Sequence, residues 1–296
     1  MLPTGPITPL RSVLYMPGSN ARALEKARTL DADAVILDLE DSVAPDQKDL
    51  ARDQVADAVR TGGFGHRVVV VRMNALTTPW GGADLEAAVA AGATTLLVPK
   101  VDGPDGVRQV ETMLRDRGGD ATAIWVMLET PLAILNAAAI AGATPALTTL
   151  VMGTSDLAKD LGAAHTRDRE PMITALGLCL LGARAHGKAI LDGVCLDLND
   201  LDAFAAECRQ GRDLGFDGKT LIHPKTIAGA NAAFSPDAAA VERARAIVAA
   251  HAEAQAAGRG VTVVDGRLVE HLHVQTAQRT LALAAAISAR AVPAEG

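Results

Sequence analysis

The chain has 296 residues, 49% of them hydrophobic, enough for one large core of the kind that an α/β barrel of about 250 residues requires. Lys and Arg number 28 against 35 Asp and Glu, a net charge of −7, and no basic block or aromatic-interleaved stretch tracks a phosphate backbone, which excludes nucleic acid as a partner. No apolar stretch reaches membrane-spanning length and no basic segment followed by an apolar run opens the chain, so a membrane partner is excluded and a cytoplasmic setting is expected.

In chain order, short runs rich in Val, Ile and Leu occur at Ser12–Met16, Ala34–Leu39, Arg67–Met73, Thr94–Pro99, Ala123–Leu128, Leu147–Met152, Ala189–Val194 and Gly218–His223. Between them lie segments of helical character: Ala21–Leu30, Gln47–Arg60, Ala83–Ala91, Asp105–Arg115, Leu132–Ala141, Met172–His186 and Leu201–Leu214. Near-continuous apolar runs alternating with helices indicate buried parallel strands, and eight such units favour a closed barrel over an open sheet. No Gly-rich phosphate loop follows the first strand, which weakens the doubly wound alternative. Beyond the eighth run, Pro236–Ala257 reads as a long helix, Gly260–Asp265 as an extended piece and Val274–Ala289 as a final helix. The class is α/β, a (β/α)8 TIM barrel over residues 1–235, with a C-terminal helical or lid extension over 236–296 kept within the same domain. Cys179, Cys195 and Cys208 lack metal-ligand spacing and read as small buried hydrophobes.

In a parallel barrel the active site lies at the C-terminal ends of the strands. There the second run ends in Asp38, Glu40 and Asp41, the third in Arg72 and Asn74, the fourth in Lys100 and the fifth in Glu129. The sixth is followed by Asp156, the seventh carries Asp192 and the eighth ends in His223. Ionisable groups aimed at one axis define a functional rim. Glu129 and Asp156, at the ends of consecutive strands, would repel each other unless a divalent cation joined them. Two carboxylates, with the other positions left to water and substrate, suit Mg²⁺. Taken singly, Glu129 could pair with Lys100, and Asp156 could cap the short helix after it; taken together, metal binding is the better reading. Arg72 ends a run of valines, and its planar fork suits two-point capture of a substrate carboxylate, with a salt bridge to Glu40 or Asp41 as the alternative. For His223, before Pro224, a strand cap and a catalytic part stay equally open. Tyr15 and Trp80 receive no role.

These residues sit in longer motifs: Arg11-Ser-Val-Leu-Tyr-Met-Pro-Gly-Ser19, Leu37-Asp-Leu-Glu-Asp-Ser-Val-Ala-Pro45 with Lys48 and Arg52, and Val71-Arg-Met-Asn74. Leu128-Glu-Thr-Pro131, Gly153-Thr-Ser-Asp-Leu157, Ile190-Leu-Asp-Gly193 and Gly218-Lys-Thr-Leu-Ile-His-Pro224 follow in order. The sequence thereby resembles the HpcH/HpaI aldolase/citrate lyase family, in particular citrate lyase β subunits and malyl-CoA lyases, from about Arg11 to Arg279. The resemblance implies Glu129 and Asp156 as ligands of Mg²⁺ (or Mn²⁺), with Glu129 beside the substrate and Arg72 on the carboxylate of the oxo-acid moiety. It implies that Glu40 and Asp41 support the metal waters and Arg72, and that Arg11, Pro17, Gly18, Ser19 and Lys48 lie along the path of coenzyme A.

The implied reaction is cleavage, or the reverse condensation, of a 3-hydroxy-3-carboxyacyl thioester of the citryl-, malyl- or citramalyl-CoA type. The products are an acyl thioester and a 2-oxo acid. The acid–base group in the family is a carboxylate of the C-terminal segment, often reaching a neighbouring subunit's site. Asp265-Gly-Arg-Leu-Val-Glu-His271 aligns with that segment, and Glu270 stands where the family has Asp, one methylene longer and able to make the same proton transfer. The segment is either such a lid, in a homotrimer or hexamer, or a packing element without a catalytic part. Alternatives to cleavage are hydrolysis of a malyl-CoA-type thioester and a citrate lyase β subunit acting on an acyl carrier protein.

Overall fold

A computed structural model describes residues 7–258 and 260–291 of the chain. Eight strands form the sheet: β1 (Ser12–Pro17), β2 (Ala34–Asp38), β3 (Val68–Arg72), β4 (Thr95–Val98), β5 (Ala123–Leu128), β6 (Leu147–Met152), β7 (Ala189–Asp192) and β8 (Gly218–Leu221). They pair in chain order, all parallel, and β8 returns to β1 to close the barrel, the architecture expected from the alternating runs.

Both faces of each strand are apolar because one fills the barrel and the other carries helices. Val13, Ala34, Ile36, Val70, Leu97, Trp125, Met127, Val151 and Leu191 form one buried cluster, the inner layer. Their neighbours Leu14, Val35, Leu37, Val71, Leu96, Val98, Val126, Leu150 and Ile190 join the larger cluster shared with the helices. Gly218 marks the closure: a Cβ there would stand 1.7 Å from the carbonyl oxygen of Leu10, so only glycine lets β8 approach the start of β1 this closely.

The expected helix Leu132–Ala141 is two short helices, Pro131–Leu135 and Ala137–Ala141. The break falls at Asn136, whose side-chain amide donates to the carbonyl of Asp102 at 2.8 Å. Helices Thr154–Leu161 and Ile227–Phe234 complete the set around the barrel.

Contacts divide the described chain into two compact units, one of them the barrel, Leu10–Phe234. The other takes in residues 7–9 and the chain from Ser235 onward, and contains helices Ala238–Ala256 and His271–Ala291, packed on each other, with a hairpin of β9 (Thr262–Val264) and β10 (Arg267–Val269) between them in sequence. Asp265 and Gly266 turn the hairpin with φ of +50° and +73°, the pairing that a tight Asp-Gly turn requires. Sequence reading gave only the first of these two strands. No helix among the described residues is long and apolar enough to cross a membrane.

Candidate active site

Strand register places Asp38 opposite Arg72, and alternation turns both toward the barrel axis. Arg72 Nε donates to Asp38 Oδ1 and Nη2 to Oδ2, each at 2.6 Å, a two-point charged pair. Asp38 also accepts from the backbone of Glu40 and Ser42 and from the Ser42 hydroxyl. Burial alone would raise its pKa, but the Arg72 guanidinium and these hydrogen bonds hold it below the usual carboxylate range. The ring of Tyr15 lies 4.8 Å from the guanidinium carbon, so Arg72 is fixed from the side and from one face.

The remaining nitrogen, Nη1, lies 2.9 Å from Glu40 Oε2 and 3.4 Å from Asp41 Oδ2. Arg72 therefore makes the salt bridges held open as its alternative, and its principal partner is Asp38, a rim residue for which the sequence indicates no such pairing. Glu40 is buried, and its Oε2 has no hydrogen bond of acceptable geometry. Burial, with the negative charges of Asp41 and Glu129, pushes its carboxyl up to about 8 against the pull of Arg72 and Lys100.

Glu129 follows β5 and Asp156 lies in the first turn of the helix after β6. Lys100 Nζ stands between them, 3.1 Å from Glu129 Oε2 and in closer contact with Asp156 Oδ2. The backbone N–H of Lys100 adds a bond to Glu129 Oε1 at 2.7 Å. Gly153 makes room for this arrangement, since a Cβ there would lie 2.4 Å from Glu129 Cβ. Gly153 is also the N-cap residue of the helix and no side chain caps it, so Asp156 has no capping part and its carboxylate meets Lys100 at the rim instead. Two converging carboxylates that already hold an ammonium between them fit a divalent cation with oxygen ligands. Among the described residues no group of three or more His, Cys, Asp or Glu could form an all-protein metal cage, which leaves water and substrate as the other ligands of such an ion.

The loop after β2 is held from two sides. Lys48 Nζ donates to the carbonyls of Leu39 and Glu40 at 2.8 and 2.7 Å, and lies 5.3 Å from the Trp80 ring centre. Asn74 Nδ2 donates to the same Leu39 carbonyl at 2.9 Å and to Asp84 at 2.6 Å. Lys48 is buried and spent on this loop, which corrects its assignment to the coenzyme A path. Arg11 needs the same correction. It precedes β1, at the opposite end of the barrel from Arg72, and grips Asp33 Oδ2 and Oδ1 through Nε and Nη2 at 2.8 Å each. Pro17, Gly18 and Ser19 do lie at the rim, where Gly18 N donates to the Asp38 carbonyl at 2.8 Å.

Asp192 also departs from expectation. Leu191 belongs to the inner layer, so Asp192 faces outward, where Arg169 Nη1 reaches its Oδ1 at 2.7 Å and Lys219 Nζ its Oδ2 at 3.1 Å. Glu207 completes this buried network of two cations and two carboxylates, accepting from Lys219 Nζ at 2.5 Å. His223 is a cap, its Nδ1 accepting from Lys225 N at 3.1 Å. Glu270 belongs to the second unit, exposed, with its backbone N–H donating to His273 Nδ1 at 3.0 Å.

A closed parallel barrel with an oriented arginine and a carboxylate pair at its C-terminal rim defines an α/β-barrel enzyme. Residues 11–224 match the model of the HpcH/HpaI aldolase/citrate lyase family, and the chain belongs to that family. It is 52% identical over 281 residues to a (3S)-malyl-CoA thioesterase of Cereibacter sphaeroides, covering 95% of this chain and 96% of the relative. It is 33% identical to an L-malyl-CoA/beta-methylmalyl-CoA lyase of the same species, covering 97% and 98%. Its fold is similar to the crystal structure of CitE from Mycobacterium tuberculosis in complex with magnesium, acetoacetate and coenzyme A, with a TM-score of 0.76, 29% identity and coverage of 93% and 97%.

Proposed function

We propose that the chain is a magnesium-dependent thioesterase that hydrolyses (3S)-malyl-CoA or a close 3-hydroxy-3-carboxyacyl thioester. The observation that carries this reading is the 52% identity to a (3S)-malyl-CoA thioesterase along nearly the full length of both chains.

On this reading Arg72, oriented by Asp38 and Tyr15, turns Nη1 to the substrate carboxylate, displacing Glu40 and Asp41 from that edge. Glu129 and Asp156 would hold Mg²⁺, which when bound would polarise substrate oxygens. Hydrolysis requires a water to attack the thioester carbonyl carbon as the C–S bond breaks, with a base taking the water proton. Glu270 is the proposed base, contributed by a neighbouring copy in a homotrimer, its extra methylene extending the reach of the carboxylate. Pro17, Gly18 and Ser19, at the end of β1, border the path of the coenzyme A arm.

Carbon–carbon cleavage, the expectation from the motifs, remains the second reading, favoured by the full-length similarity to a malyl-CoA lyase. There the same carboxylate protonates the thioester enolate instead. Incubation with Mg²⁺ and a panel of malyl-, citramalyl- and citryl-CoA and the matching acyl-carrier thioesters, following free thiol and 2-oxo acid separately, decides between them. Thiol plus hydroxy acid without oxo acid supports the thioesterase. Oxo acid plus a shortened acyl-CoA establishes the lyase, and turnover only on acyl-carrier thioesters assigns a carrier-dependent subunit.

A further inference from the structure

Lys100 is one of the few described residues other than glycine with a left-handed backbone, at φ +54°. Side chains rarely adopt this conformation, and where they do the surroundings must hold it. Here it brings two donors of one residue onto one carboxylate. The backbone N–H bonds Glu129 Oε1 at 2.7 Å, and Nζ comes back to Glu129 Oε2 at 3.1 Å while also meeting Asp156. Glu129 is buried, whereas the Lys100 side chain keeps 34% of its surface in solvent. The ammonium thus has a way out, and the carboxylate it neutralises has none.

We propose that Lys100 is the built-in counter-cation of the Glu129–Asp156 pair, a positioning residue whose ammonium holds the two carboxylates together until a divalent cation displaces it. The inference rests on Glu129 and Asp156 being the metal ligands. Its two halves act differently. The backbone bond carries no formal charge and keeps Glu129 aimed before and after metal binding. The ammonium occupies the space between the carboxylates, and two cations cannot share it at such distances without strong repulsion. Metal affinity is therefore set by a competition inside the protein, and the apo site stays ordered without two bare carboxylates facing each other.

The backbone and side-chain parts separate by mutation, because Lys100→Met removes the competing charge and leaves the N–H. Binding of Mn²⁺, read from the loss of the free-ion electron paramagnetic resonance signal, is compared for the wild type, Lys100→Met, Lys100→Arg and Glu129→Gln, each checked for folding by circular dichroism. Lys100→Met is expected to bind at least about tenfold more tightly, since a like charge a few ångströms away is removed, with Lys100→Arg near the wild type. Lys100→Gln provides the same comparison should the methionine variant not fold. Equal or weaker binding in the neutral variants, with Glu129→Gln still losing the ion, overturns the counter-cation and leaves the metal site standing. Binding unaffected by Glu129→Gln removes the metal site and this inference with it.

Discussion

Asp38 and Arg72 are partners in register on β2 and β3, and both carboxylate oxygens of the one meet two guanidinium nitrogens of the other at 2.6 Å. The pair faces the barrel axis and leaves Nη1 as the nitrogen turned toward Glu40 and Asp41. On the proposed function, Asp38 decides which edge of Arg72 the substrate carboxylate meets.

Asp38→Asn keeps the volume and removes the charge beneath a buried guanidinium. Breaking one side of a buried pair costs about 3–5 kcal/mol, so a fall in Tm is expected together with a raised KM. Arg72→Lys loses the planar fork, and kcat/KM is expected to fall by about 10- to 100-fold, the range of one or two charged hydrogen bonds. Thermal melts and steady-state kinetics check both; an Asp38→Asn enzyme with unchanged KM would contradict the positioning role.

Gly153→Ala places a methyl group 2.4 Å from the Cβ of Glu129, closer than two non-bonded carbons can approach. The backbone of Glu129 must shift, so divalent-cation affinity is expected to fall by about tenfold or more, as changes to groups that orient metal ligands typically produce, with the barrel still folded. Calorimetric titration with Mg²⁺ checks it, and an unchanged affinity would show that the close approach does not set the ligand geometry.

Glu40, with its carboxyl pushed up to about 8 from the ordinary 4.5, keeps a proton in the folded chain that the unfolded chain releases between those values. The stability this contributes is complete below about pH 4.5 and is lost as pH rises through about 8. Glu40→Gln is therefore expected to flatten the decline in Tm across that window in metal-free buffer. Parallel declines in the two proteins would mean that Glu40 ionises normally.

Lys219→Met removes one cation from the buried network with Asp192, Arg169 and Glu207. The network faces the helices outside the barrel wall, so stability is expected to fall by about 3–5 kcal/mol while kcat at a permissive temperature is retained. A loss of kcat without loss of Tm would place the network in catalysis instead.

How much of this was legible in sequence depended on whether facing mattered. The apolar runs gave the eight strands and their order, because buried parallel strands need nothing else. The same uniformity hid which way each terminal residue points. Asp38 and Asp192 both end apolar strands, yet Asp38 faces the axis and Asp192 the helices, and Ala-Ile-Leu-Asp carries no alternation that would separate them. Glu129, Asp156 and Arg72 stand at the rim, as strand ends and charge lead one to expect. Arg11 and Lys48 were misplaced because a motif position does not reveal that a cation already has Asp33, or the Leu39 and Glu40 carbonyls, as its partners. Lys100 was legible only as a possible partner of Glu129; its left-handed backbone and its reach to Asp156 needed coordinates.

The most direct test is a product-resolved assay on (3S)-malyl-CoA with the wild type and Glu129→Gln, with Mg²⁺ and with EDTA. Release of free thiol and malate without glyoxylate is expected from the wild type with Mg²⁺, and loss of both under EDTA or on replacement of Glu129. Glyoxylate with acetyl-CoA, or thiol release that survives EDTA and Glu129→Gln alike, would contradict the proposed function.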